Sequence, residues 1–172
     1  MRIKQSALAV ILVVLVFGTI GITKATGLWV TQGGGGGNRI PATYTDGEFA
    51  GRYDPADIRG SYTFGQISEL FDIPLSDLGR AFAIQDERLL VDFRCRDLEP
   101  LYADAASRGQ EIGTGSVRVF VAWYKGLPID DAGVHLPHTA AEVLIAQGNL
   151  TEEQKASLSD RLVPAVPVGG TS

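Results

Sequence analysis

The chain has 172 residues, 15 lysines and arginines against 20 aspartates and glutamates, and a formal net charge of −5. Three of the cations, Arg2, Lys4 and Lys24, and no acidic residue lie within residues 1–30, so the rest of the chain carries 12 cations against 20 anions, a net of −8. That balance excludes a nucleic-acid surface, which needs a basic stripe to neutralise phosphates, and adhesion to an anionic membrane face.

Residues 7–22 read ALAVILVVLVFGTIGI, with no charge and a single hydroxyl, Thr19. A spanning helix needs ~20 apolar residues at ~1.5 Å each. Extending the run to Trp29 and Val30 supplies that length, with Lys24 snorkelling and Trp29 at the headgroup level. The expectation is a signal-anchor over residues 1–30, with residues 7–30 in the bilayer. Arg2, Lys4 and the amino terminus lie before the run, so the N-terminus is expected in the cytoplasm and the remainder outside. The competing reading is a cleaved signal peptide and a secreted product, although Thr23-Lys24-Ala25 matches a cleavage site poorly.

Residues 31–42 contain five consecutive glycines at 33–37 and read as a flexible linker. No strand–loop–helix phosphate pattern surrounds them. Residues 43–163 are expected to form the extracytoplasmic domain, and residues 164–172 a flexible tail. Cys95 is the only cysteine, which rules out an intrachain disulfide and cysteine-rich zinc or iron–sulfur sites. It reads as a buried, inert thiol, and pairing between chains stays open.

The domain is expected to be mainly α: five to six short helices with at most one short strand. Residues 43–60 form an irregular lead-in with turn signals at Asp46-Gly47 and Asp54-Pro55. Thr63 and Gln66 have the spacing of a capping box, followed by Phe64, Ile67, Leu70 and Phe71 on one face. Asp72-Ile73-Pro74 breaks that helix, and Pro74 or Ser76 opens a second. The pair resembles a DNA-reading hairpin in outline, but its second helix offers one cation, Arg80. Residues 88–94 alternate weakly and suggest a short strand or extended segment. Asp97 is expected to cap the next helix, with Pro100 in its first turn and Gly109 at its end.

Ser116 is expected to cap the most apolar helix, SVRVFVAWYKG, which Gly126 and Pro128 close. This helix is read as the centre of the core, with Arg118 paired to a carboxylate. Thr139 is expected to cap AAEVLIAQ, and Thr151 with Gln154 to box the last helix.

Two constellations carry candidate chemistry. His135 and His138 lie beside Asp130 and Asp131, and two imidazoles with carboxylates are a donor set for zinc or another divalent ion. That loop is also the place for a small enzyme. The pair straddles Leu136-Pro137, however, and no HExxH pattern is present. GTGS around Ser116 is not a nucleophile elbow, so a helix cap explains that serine better. No catalytic residue and no cofactor are assigned. The second constellation is aromatic: Trp123, Tyr124 and Tyr102 are candidates for a partner-binding patch, while core or lid residues over the Phe120 helix are the slightly favoured alternative.

Residues 57–82, DIRGSYTFGQISELFDIPLSDLGRAF, resemble the I-[RK]-G-S-[MY]-T-[LF]…GIP…L segment of small helical domains attached to bacterial and archaeal membrane proteins. SVRVFVAWYKGLP and LPHTAAEVLIAQGNLTEEQ look similar to its continuation, so the likeness spans roughly residues 54–155. Such domains accompany NapH-like, polyferredoxin-type 4Fe–4S membrane proteins. The resemblance implies a helical module near membrane redox machinery and transfers no catalytic residue; the cysteine clusters of that class are absent here. The expectation is a membrane-anchored interaction or accessory module with a protein partner and no nucleic acid; the alternative is a metal-binding protein or enzyme using the loop 130–138.

Overall fold

A computed structural model describes residues 40–169; the expected anchor at 1–30 and residues 31–39 of the linker lie outside them. Seven α-helices follow one another: α1 (Phe64–Phe71), α2 (Leu75–Ala81), α3 (Glu87–Leu90), α4 (Ala103–Ala106), α5 (Thr114–Lys125), α6 (His138–Gln147) and α7 (Glu152–Leu158). Strands β1 (Leu136–Pro137) and β2 (Leu162–Val163) pair in parallel, Leu136 opposite Leu162. Three 3-10 segments, Pro55–Asp57, Cys95–Tyr102 and Ser159–Arg161, complete a mainly helical domain. Among the described residues no helix is long and apolar enough to cross a membrane.

Helix α5 is the centre of the core, as its composition suggested. Val117, Val119, Phe120, Val121, Ala122 and Trp123 are all buried, and each of the larger side chains contributes about 1.5–3 kcal/mol by leaving water. Gly126 ends the helix at φ +65°, where its N–H meets the Ala122 carbonyl. Phe64 on α1, Phe82 after α2, and Phe120 and Tyr124 on α5 form an aromatic chain with successive ring centres 5.4, 5.6 and 5.7 Å apart. Offset and edge contacts of this kind add about 0.5–1.5 kcal/mol each beyond area burial.

The α1–α2 hairpin follows from its caps. Thr63 Oγ1 accepts from the Gln66 N–H at 3.2 Å, and Gln66 Oε1 accepts from the Thr63 N–H at 3.0 Å. Asp72 closes α1 in the left-handed region, and Pro74 starts α2. Helix α2 then lies against α6, where Thr139 Oγ1 donates to the Ala81 carbonyl at 2.7 Å. Gly79 lets α3 close on α2: a Cβ there would stand 2.9 Å from the Leu90 methyls.

Several expectations need correction. Residues 88–94 form no named strand; their first part is helical, and only Arg94 pairs, in an isolated antiparallel bridge with Thr63. Asp86 accepts from the Arg88 N–H at 2.9 Å and opens α3, which buries Leu90 and leaves Leu89 and Val91 exposed. Single-turn helices such as α3 and α4 raise the count from five or six to seven, and two strands replace at most one. Asp97 is three residues inside a 3-10 segment, not its cap, and bonds back to the Arg94 N–H at 3.1 Å. Ser116 is the third residue of α5 and not its N-cap, although its Oγ accepts the N–H of the N-cap Gly113 at 3.3 Å; Thr139 lies inside α6. Among the described residues no ion pair joins Arg118 to a carboxylate; its Nε donates to the Ile58 carbonyl at 2.7 Å. The tail expected to be loose from residue 164 is tied down through Val168. The Val168 N–H donates to the Ala83 carbonyl and the Gln85 N–H to the Val168 carbonyl, both at 2.9 Å.

Candidate functional site

The loop 130–138 is built by four separate tasks. Asp130 Oδ1 accepts the Ala132 N–H at 3.1 Å, turning the chain on itself. Asp131 Oδ1 takes Arg161 Nη2 at 3.1 Å, and the same guanidinium lies 5.6 Å over the Trp123 ring. The His135 carbonyl accepts the Ser116 hydroxyl at 2.7 Å, while its Nδ1 is buried with no partner among the described residues. His138 has moved onto α6, with Nδ1 3.2 Å from Glu142 Oε1.

Asp130, Asp131, His135 and His138 are therefore not brought together as ligands. Among the described residues no three His, Cys, Asp or Glu side chains gather into a metal-binding group. The physical reason is local: Asp131 is already neutralised by Arg161, whose positive charge would oppose a cation at that carboxylate. Ser116 is no nucleophile beside a base, because its hydroxyl donates to the main-chain oxygen of His135, not to the imidazole.

The aromatic residues follow the core reading and not the patch. Trp123 is fully buried and Tyr102 is 2% exposed. Tyr102 Oη accepts the Val166 N–H at 3.1 Å, and burial raises its phenol pKa. Tyr124 is half-buried and its Oη donates to Asp77 Oδ2 at 2.7 Å. None of the three presents an open ring face as the centre of a docking surface. Cys95 is buried, and its thiol is pushed up to about 12, chiefly by loss of water.

What the fold does open is a groove of about 530 Å³ between α2, α3 and α6. Gly79, Ala83, Ile84, Leu90 and Val143 give it an apolar floor, Ser76, Gln85 and Thr139 add uncharged polar groups, and Arg80, Glu87 and Glu142 carry its charges. That volume lies within the range of ligand-sized concavities. The floor is built from a strained helix end. Ala83 sits at φ +57°, a region glycine usually fills, while its N–H reaches Arg80 O and the Ile84 N–H reaches Gly79 O at 2.9 Å. Val168 clamps this segment from outside the groove.

The rim is acidic in effect. Arg80 is committed to Asp77, a carboxylate whose side chain is 6% exposed. Glu87 has no ion-pair partner among the described residues, and Glu142 has only His138. Two further apolar side chains belong to the helices that bound the groove: Leu89 on α3, 45% exposed, and Ile145 on α6, 68% exposed. Ile145 follows Glu142 by three residues, so the two are neighbours on one helix face.

Sequence reasoning missed this site because its walls come from three elements. A usable signal was Ile145. Buried Ala140, Ala141, Val143 and Leu144 turn one side of α6 inward, and Ile145 falls off that side. No protein-family model, curated protein or solved structure matches the chain.

Proposed function

We propose that this chain is an interaction module, anchored at a membrane by residues 7–30, that holds a protein partner in the groove between α2, α3 and α6. The observation that supports this is the groove itself, with its apolar floor and the exposed Leu89 and Ile145 on its bounding helices. A concave floor with apolar side chains exposed on the elements that bound it is a common mark of a docking surface. The apolar run at 7–22 supports the anchor, and the flanking charges support an extracytoplasmic domain. The resemblance of residues 54–155 to domains of membrane 4Fe–4S proteins makes a membrane redox assembly the proposed setting.

The test is purification of the full chain from gently solubilised native membranes. The wild type should carry a discrete, stoichiometric partner. Ile145→Asp should lose it, and His135→Ala combined with His138→Ala should keep it. A lone chain with turnover that depends on the two histidines would refute the proposal and favour the loop enzyme.

A further inference from the structure

We infer that the segment held by this groove is an apolar stretch of a partner polypeptide flanked by lysine or arginine, which meets Glu87 and Glu142 across the rim. The inference rests on the interaction-module reading and names the chemistry of its occupant.

Charge selects that occupant. Ala83, Ile84, Leu90 and Val143 make the floor mainly apolar, so aliphatic or aromatic side chains suit its centre. At the rim Arg80 is already paired with Asp77, which leaves the exposed carboxylates of Glu87 and Glu142, the second of them beside the His138 imidazole. Over residues 40–169 the chain carries 11 cations and 20 acids, a net of −9, so the surrounding field has the same sign. A basic flank is drawn in by that field and gains pairing at the rim. A second copy of this chain would bring another acidic rim against the first, and like charges across an interface oppose association. An anionic lipid surface is repelled for the same reason.

The two carboxylates also set an orientation. Glu87 projects from α3 on one wall and Glu142 from α6 on another. A segment seated on Leu90 and Val143 therefore has an acidic group on either side. Ile145, one turn after Glu142 on α6, is an exposed apolar side chain next to that wall.

The experiment uses the full chain in uncharged detergent and two fluorescein-labelled peptides. One has leucines at helical spacing with lysines between them; the other replaces every lysine with glutamate. Anisotropy titrations at fixed salt compare wild type, Glu87→Lys combined with Glu142→Lys, and a control of equal charge change, Glu48→Lys combined with Glu69→Lys. The control positions are exposed and do not line the groove. Circular dichroism confirms that all three fold alike.

Saturable binding of the lysine peptide by wild type and control, weakened about tenfold or more in the groove variant, supports the inference. A gain of affinity for the glutamate peptide in the groove variant supports it further. Equal weakening in both variants means that the peptide reads global charge, and overturns it. So does absence of saturable binding, or a dimer in sedimentation that Ile145→Asp dissolves. If the native partner is lost on Ile145→Asp but kept by Glu87→Lys with Glu142→Lys, the interaction module stands and the basic segment falls.

Discussion

Tyr124 Oη donates to Asp77 Oδ2 at 2.7 Å, joining the last turn of α5 to the first turn of α2. Asp77 gives its other oxygen to Arg80, so a buried carboxylate is held between a phenol and a guanidinium. This three-way contact fixes the helix that forms one wall of the groove.

Tyr124→Phe should destabilise the domain by about 1–3 kcal/mol, because a buried charged acceptor loses one donor. Urea unfolding at neutral pH measures it. The alkaline limb provides a second check. Burial and the Asp77 carboxylate raise the Tyr124 phenol from 10.0 to about 12. A raised folded-state pKa favours the protonated phenol in the fold, so its contribution is full below pH 10 and is lost as pH climbs through 12. The variant should lose less stability than wild type over that window. Tyr44, raised to about 12 by burial and Asp54, keeps part of the dependence in both proteins.

Ala83→Gly should raise stability. Holding an L-residue in the left-handed region costs roughly 1–2 kcal/mol, and added freedom of the unfolded glycine returns about 0.4–1 kcal/mol. The net expectation is a gain of about 0.5 kcal/mol, read as a higher urea midpoint with an unchanged slope. A loss would mean that the Ala83 methyl contributes more to the groove floor than its backbone costs.

Deleting residues 164–172 removes the Val168 bonds to Ala83 and Gln85 and the Val166 bond to Tyr102. At about 0.5–1.5 kcal/mol for each bond, the loss should be about 2–4 kcal/mol. Amide exchange should quicken first at Ile84 and Gln85, the groove segment beside the clamp.

Cys95 should resist a water-soluble disulfide reagent in the folded chain at neutral pH and react at once in denaturant. Its thiol is fully buried and raised to about 12, so almost no thiolate is presented. Rapid labelling of the native protein would show that the 3-10 segment Cys95–Tyr102 opens readily.

The local signals in the chain were legible where one residue type did one job. Thr63 with Gln66 and Thr151 with Gln154 form the boxes their spacing suggested, and Gly126 ends α5. The apolar run of α5 marked the core because burial on nearly every side needs such a run. Legibility failed where distant chain decided. Thr139 suited a cap by type, yet its hydroxyl reaches the distant Ala81 carbonyl; Ser116 does accept the Gly113 N–H at the start of α5, but from the third helical position and while donating to the distant His135 carbonyl. Trp123 and Tyr102 looked like surplus aromatics because nothing local shows that Arg161 and Val166 return to cover them. The groove was invisible for the same reason, since α2, α3 and α6 meet only in the folded chain.

The most direct measurement is the partner content of the full chain purified from native membranes, compared between wild type and Ile145→Asp. Ile145 is 68% exposed, so its substitution should leave the fold intact. A discrete partner in equal amount with wild type, and its absence with Ile145→Asp, is the expected result. The same partner in equal amount with both proteins would place docking elsewhere and contradict the role assigned to the groove.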